Sequence, residues 1–276
     1  MFLNAIGSAV LLPAFAGDLS AIASLRRRRP SDVGWPSPSA WKQLNDAIGG
    51  NLIPVSSPLS SLKTNPDAGA GKRLFENLKN PYYIGDEPGL TQTLGWVDAW
   101  TTQPSAYAVA ARNAQDIARA VTFARDHDLR LVVKGGGHSY QGTSNAPDSL
   151  LIWTRRMSEI TTHAAFVPKG CERKVPAQPA VTLGAGILWR QAYDAVTTKG
   201  GKYVQGGGCL TVGVPGLIQS GGFGSFSKHY GTAAGSLMEA EVVTADGQVR
   251  LANACTNADL FWALKGGGGS SYGVVS

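Results

Sequence analysis

The rhythm of hydrophobic and polar positions changes at about residue 106. Before it, residues 26–92 scatter apolar side chains among Pro, Ser, Gly and Asn, as in Ser31-Asp32-Val33-Gly34-Trp35-Pro36-Ser37-Pro38. Only Ser39–Ala47 has the spacing of a helix there. After it, Tyr107–Ala110 alternates as a strand, and Asn113 stands where a helix over Ala114–Asp126 needs its cap, with Ile117, Ala120, Val121 and Ala124 on one face. Leu129–Val133 predicts a strand that runs into Lys134-Gly135-Gly136-Gly137-His138-Ser139. Leu150–Trp153 predicts another, and a polar excursion through Cys171 and Pro176 leads to a third at Ala180–Leu183. Beyond Gly184-Ala185-Gly186 the spacing predicts a helix from about Ile187 to Thr198, then a strand Tyr203–Gln205 entering Gly206-Gly207-Gly208-Cys209. Ala240–Thr244 and Gln248–Leu251 flank Ala245-Asp246-Gly247, a hairpin signal, and Asp259–Leu264 reads as one helical turn. The pattern predicts a lead-in over residues 31–105 and two mixed α/β units, about 106–175 and 176–276.

The first 30 residues read differently. An apolar stretch from Ala5 to Ala16 ends in Ala14-Phe15-Ala16 without a basic region before it. This points to an export signal, and so to a periplasmic or secreted protein, with an ordinary N-terminal helix as the alternative. The stretch is too short to span a bilayer.

Composition narrows the classes. With 43% hydrophobic and 16% charged residues over 276, the chain has ample material for a core. Its 35 glycines cluster at 135–137, 206–208, 221–224 and 266–269, which marks places of close backbone approach rather than disorder. The net charge of +6 is concentrated in the run Arg26–Arg29, so no basic face for nucleic acid is evident. Cys171, Cys209 and Cys255 form no C-x-x-C pair, and His and Cys nowhere take metal-ligand spacing. One disulfide is arithmetically possible, with one cysteine left over.

Glycine loops at strand ends let several N–H groups converge on one anion. Neither G-x-G-x-x-G nor G-x-x-x-x-G-K-[ST] occurs, which argues against a Rossmann site, an NAD-dependent dehydrogenase and a P-loop. Instead, Lys134 to Tyr140 together with Gly206-Gly207-Gly208-Cys209-Leu210-Thr211-Val212-Gly213 resembles the berberine-bridge-enzyme-like branch of the vanillyl-alcohol-oxidase flavoproteins. The resemblance runs from roughly Ala106 to Ser276. It takes in Ser220-Gly221-Gly222-Phe223-Gly224, Lys228-His229-Tyr230-Gly231, the Asp-Gly turn and Asp259-Leu260-Phe261-Trp262-Ala263-Leu264-Lys265.

The resemblance implies an α+β fold, the two-subdomain FAD-binding domain of the para-cresol-methylhydroxylase type. It implies FAD linked at its 8α carbon to His138 and, as in bicovalent members, at C6 to Cys209. The cofactor-binding set it carries over is Lys134, Gly135, Gly136, Gly137, His138, Ser139, Gly142, Cys209, Thr211, Val212, Gly213, Gly216, Gly221, Gly222, Gly224, Tyr230, Gly231 and Val242. Electron-withdrawing imidazole and thioether links raise the flavin's potential, which suits hydride removal from alcohols, sugars or amines. Val212 stands where dioxygen approaches the reduced ring in such proteins, and a small side chain there implies an oxidase.

Three departures stand out. Lys134 replaces the commoner arginine and loses its fork geometry; Pro215-Gly216-Leu217 stands where many relatives have Gly-Gly-His; Gly235-Ser236 replaces a frequent Asp-Asn pair. His127 and His163 read as surface residues, and His229 is open between surface and flavin vicinity. Relatives continue past the Gly266–Gly269 run into a substrate domain that usually supplies the catalytic base, so no base is named here and that domain is expected to be largely missing after Ser276. The alternative to an oxidoreductase is a stand-alone flavin-binding module.

Overall fold

The computed structural model describes residues 27–60, 62 and 68–276, so the export-signal reading lies outside the described residues. The lead-in is richer than its composition suggests. Helix α1 (Pro38–Ala47) starts with Ser37 accepting the Ala40 N–H and buries Trp41 and Leu44. Trp41 stacks on Tyr107 at 4.1 Å and reaches Phe123 at 4.8 Å, which docks the lead-in on the core. Strand β1 (Leu52–Pro54) follows, then α2 (Ala68–Leu78), α3 (Pro81–Asp86) and a small hairpin of β2 (Gly95–Trp96) and β3 (Trp100–Thr101). The expectation of a single helix here was incomplete: Gly69 and Gly71 disguise α2 as loop, and Asn80-Pro81, which reads as a turn, caps and opens α3.

The first unit is a four-stranded sheet. Strand β4 (Tyr107–Ala110) leads through α4 (Ala114–Asp126) to β5 (Arg130–Lys134), and β6 (Ser149–Trp153) inserts between them, parallel to both. Strand β1 adds antiparallel to β4, giving the order β1-β4-β6-β5. All five residues of β6 are buried, and Leu150 to Trp153 form the continuous apolar run that a parallel strand covered on both faces requires. Helix α4 presents Ile117, Ala120, Val121 and Ala124 to this sheet, all buried. The connection from β5 therefore emerges at the carboxyl end of a parallel sheet, where glycine loops meet ligands.

The second unit is antiparallel and begins at about Ile160, earlier than the boundary near 175 that the sequence pattern suggests, because β7 pairs with β8. The polar excursion contains a strand, β7 (Ile160–Phe166), paired with β8 (Gln178–Leu183). It escaped the periodicity because the hairpin is half exposed on both faces. Helix α5 (Trp189–Tyr193) continues as a wider π turn over Asp194–Lys199, and Tyr203–Gln205 is extended loop rather than strand. Helices α6 (Val214–Gln219) and α7 (Ser227–Tyr230) precede β9 (Glu239–Val243), β10 (Val249–Asn253), α8 (Ala258–Leu264) and β11 (Val274–Val275). Their sheet has the order β10-β9-β11, and the Ala185 N–H donates to the Ser276 carbonyl, linking β11 toward β8. A disulfide joins Cys171 to Cys255 across 84 residues, while Cys209 is free and exposed.

The last two residues of the basic run are tied to the body, Arg28 to Asp128 at 3.4 Å and Arg29 to Asp148 at 4.0 Å. Among the described residues no helix is long and apolar enough to cross a membrane, and no group of three or more His, Cys, Asp or Glu gathers for a metal.

Candidate functional site

The first glycine loop is fastened from outside. Lys134 is 1% exposed, and its ammonium donates to the carbonyls of Glu87 (2.6 Å), Pro88 (3.1 Å) and Leu90 (2.9 Å). Its charge is thus spent on the lead-in backbone. Burial pushes its pKa down to about 7 against the pull of Glu87 and Asp86. Further along, the Gln92 N–H donates to Gly137, the Thr93 hydroxyl to the Ser139 carbonyl and the Trp100 indole to the Tyr140 carbonyl. Ser139 Oγ accepts from the Gln141 and Thr143 N–H groups and folds the loop back on itself. Gly142, at φ +72°, lies under Trp100 so closely that a Cβ would sit 2.8 Å from the ring.

Held this way, residues 135–138 offer four successive N–H groups, none of which donates to another group among the described residues. Such a bare cradle fits a phosphate-bearing cofactor.

The second loop is sewn to the start of α5. Trp189 and Arg190 donate their N–H groups to Val212 and Leu210, Val214 donates to Ile187, and the Tyr193 hydroxyl donates to Gly207. A Cβ on Gly206 would lie 2.4 Å from the Trp189 ring, and one on Gly224 would meet the Gly206 carbonyl, so this turn is backbone laid on side chain and backbone on backbone. The two loops touch: a Cβ on Gly136 would come 2.6 Å from the Thr211 carbonyl and 2.7 Å from the Gly213 nitrogen.

That contact brings the two expected attachment residues together. His138 Nε2 lies 2.9 Å from Thr211 Oγ1, though 73 residues separate them, and Cys209 Sγ lies 3.5 Å from the same hydroxyl. Thr211 is 6% exposed, His138 half-buried and Cys209 exposed. Burial lowers the His138 pKa below its ordinary value, with its contact to Thr211 acting the other way, so the ring is neutral at neutral pH. Among the described residues His138 Nδ1 has no hydrogen-bond partner.

The remaining expected residues fall around this centre or away from it. Val212 is half-buried against the cluster of Ile187, Trp189 and Val214. Gly216 is exposed in α6; Gly221 and Gly222 turn the chain after it at φ +95° and +70°. Tyr230 is exposed, 4.7 Å from Tyr203 and 4.4 Å from His229, and Gly231 ends α7 at φ +78°. Val242 is fully buried in the middle of β9, in a core with Ala240, Ala252, Phe261 and Leu264 rather than on either loop. His163 is half-buried in β7 and bonded to Thr182, and His127 is half-buried against Phe123. Sequence reasoning missed the lead-in contacts of Gln92, Thr93 and Trp100, since nothing in a Pro- and Gly-rich stretch signals which polar groups will meet a loop 40 residues on.

The comparisons agree with this geometry. Residues 105–253 match the family described as FAD binding domain. The chain is 37% identical over 273 residues to the FAD-linked oxidoreductase asqF of Emericella nidulans, covering 90% of this chain and 47% of that protein. It superposes on the VAO-type flavoprotein MtVAO615 of Myceliophthora thermophila C1 with a TM-score of 0.78 at 34% identity, over 90% of this chain and 48% of that one. A glucooligosaccharide oxidase of Acremonium strictum, whose FAD is described as 6-S-cysteinyl and 8α-N1-histidyl, matches with a TM-score of 0.53 at 29% identity over 63% of this chain and 34% of that one. The chain spans about half the length of the curated relatives it matches. It belongs to the FAD-binding-domain family, among the VAO-type and berberine-bridge-enzyme-like flavoproteins.

Proposed function

We propose that this chain is the flavin-binding part of an FAD-dependent oxidase that holds its cofactor through His138 and Cys209, removes hydride from an alcohol, sugar or amine, and passes electrons to dioxygen. The observation that carries the reading is the meeting of His138 and Cys209 on one buried hydroxyl, between two glycine loops in backbone contact. When bound, FAD supplies the redox chemistry, accepting hydride and returning electrons. The chain's own residues do the rest. The four free N–H groups of residues 135–138 receive the phosphates, His138 and Cys209 fix the ring edge, and the lead-in holds the first loop in place. Val212 leaves little bulk beside the second loop, which supports dioxygen as acceptor. The disulfide between Cys171 and Cys255 supports export, since such bonds persist in oxidising compartments.

The test is retention of flavin. The chain expressed with FAD and precipitated in acid keeps its yellow chromophore on the polypeptide, His138→Ala keeps only what Cys209 holds, and the double variant with Cys209→Ala releases all of it. Flavin released from the unaltered protein would overturn the reading. Val212→Leu in a substrate-competent form slows reoxidation by air; equal rates would remove the acceptor assignment alone. A folded holoprotein carried on to the length of its relatives that still turns over no alcohol, sugar or amine would leave a stand-alone flavin-binding module as the function.

A further inference from the structure

The Thr211 hydroxyl stands between the two nucleophiles, and a hydroxyl has one proton to give and two lone pairs with which to accept. It can relay in only two directions. In one, His138 Nε2–H donates to Oγ1 and Oγ1–H donates to Sγ of Cys209. The imidazole then carries its proton on Nε2 and its lone pair on Nδ1, the ring nitrogen without a partner among the described residues, and the sulfur accepts the hydroxyl's hydrogen bond with its lone pairs held toward the loop. In the other, Sγ–H donates to Oγ1 and Oγ1–H to Nε2, which puts the ring proton on Nδ1 and leaves the sulfur a thiol. The first direction arms both nucleophiles and the second disarms both.

We infer that Thr211 is the positioning residue for cofactor attachment, relaying from His138 Nε2–H through its hydroxyl to Cys209 Sγ, so that one buried side chain sets the tautomer of the histidine and the reactivity of the cysteine together. The inference rests on the bicovalent reading above. Three observations give it a fixed geometry. Thr211 is 6% exposed, so water competes poorly for its hydroxyl. Its backbone is wedged against Gly136, where a Cβ would approach its carbonyl to 2.6 Å, and the adjacent Val212 N–H closes a turn onto the Cys209 carbonyl at 3.3 Å. No other side chain among those described hydrogen-bonds to the His138 ring or the Cys209 sulfur.

The chemistry balances. Forming the Nδ1–C8α bond replaces one C–H of the flavin 8-methyl group, and the proton on Nε2 leaves by way of the Thr211 hydroxyl. Forming the S–C6 bond replaces the C6–H. Each attachment releases two protons and two electrons overall, and the electrons pass to dioxygen with one hydrogen peroxide formed per bond.

The experiment has two arms. In the apo chain, ring nitrogen NMR of His138 reports the tautomer directly; protonated Nε2 is expected, and protonated Nδ1 overturns the relay. In the second arm, attached flavin is followed over time by acid precipitation and peptide mapping for the unaltered chain, Thr211→Val and Thr211→Ser. Thr211→Val keeps the shape and loses the hydroxyl; it slows attachment at both residues by roughly tenfold or more, the scale of a hydrogen bond to a charged group. Non-covalent FAD affinity is read by fluorescence for each variant, and attachment rates are compared at saturating FAD, so that a change in binding is not counted as a change in attachment. Thr211→Ser restores most of the rate. Attachment at the original rate in Thr211→Val, or equal slowness in Thr211→Ser, overturns the role of the hydroxyl while leaving the bicovalent reading intact. No attachment in the unaltered chain would instead overturn the bicovalent reading, and the tautomer arm would still decide whether the relay exists.

Discussion

The two glycine loops solve the same problem, presenting bare backbone to a cofactor, by opposite means. The first is buried and clasped from without: Lys134 grips three carbonyls of the lead-in, and Gln92, Thr93 and Trp100 hold residues 137 to 140. The second exposes only its tip, residues 208–210, and leans on α5, in a unit whose antiparallel strands are tied by a disulfide. The histidine therefore sits on a scaffold stiffened by many weak bonds, and the cysteine on one stiffened by a few contacts and one covalent bond. Attachment residues can be equally near their target and yet differ in how firmly they are aimed.

Reducing the disulfide should separate the two halves most. Its removal destabilises by roughly 2–5 kcal/mol, and the effect belongs to the second unit alone. Hydrogen exchange after mild reduction, or in Cys171→Ala/Cys255→Ala, is expected to quicken in 160–183 and 239–253 while 130–153 stays protected. Equal quickening in both would mean that the units share one stability.

At the seam, Gly136→Ala forces backbone away from backbone, an overpacking of about 1–3 kcal/mol. Urea unfolding should show that loss, and flavin attachment should fall with it. Gly208→Ala is the control: a Cβ there meets nothing within 4 Å, so stability should stay within about 0.5 kcal/mol. A harmless Gly136→Ala would show that the loops need not touch.

The effect that rests on a single side chain is a pH slope from the clasp. Lys134 titrates near 7 when folded and at its ordinary 10.5 when unfolded, so between these values the unfolded chain binds the extra proton. Stability then rises with pH across that window, by at most about 1.4 kcal/mol per unit, and is lost as pH falls toward 7. Comparing urea unfolding at the two ends for the unaltered chain and Lys134→Met should show the slope only in the former.

What the sequence disclosed follows the same divide. Strand β4, helix α4 and strand β6 were legible because each is one regular element with a full apolar face, and Asn113 announces its helix. Strand β7 was not, since an open hairpin with Thr161, Thr162 and His163 has no apolar stripe to betray it. The π turn at Asp194–Lys199 keeps helical residues and changes only its pitch, which periodicity registers as more helix. At the site, His138 and Cys209 were legible through their loops. Their meeting on Thr211 depends on how Gly136 nests against Gly213, a contact between backbones that side-chain pattern does not encode.

The order of cysteines and histidine along the chain carries one more consequence. The disulfide closes a ring from Cys171 to Cys255; Cys209 lies inside that ring and His138 outside it. A flavin carried at both His138 and Cys209 is then a second bridge interlaced with the first, and neither ring contains the other. Each closure of this size removes about 4–5 kcal/mol of chain entropy from the unfolded state in the loop-closure account. Such a polymer cannot be pulled straight by breaking either bridge alone, so even the denatured holoprotein would remain a compact, threaded object.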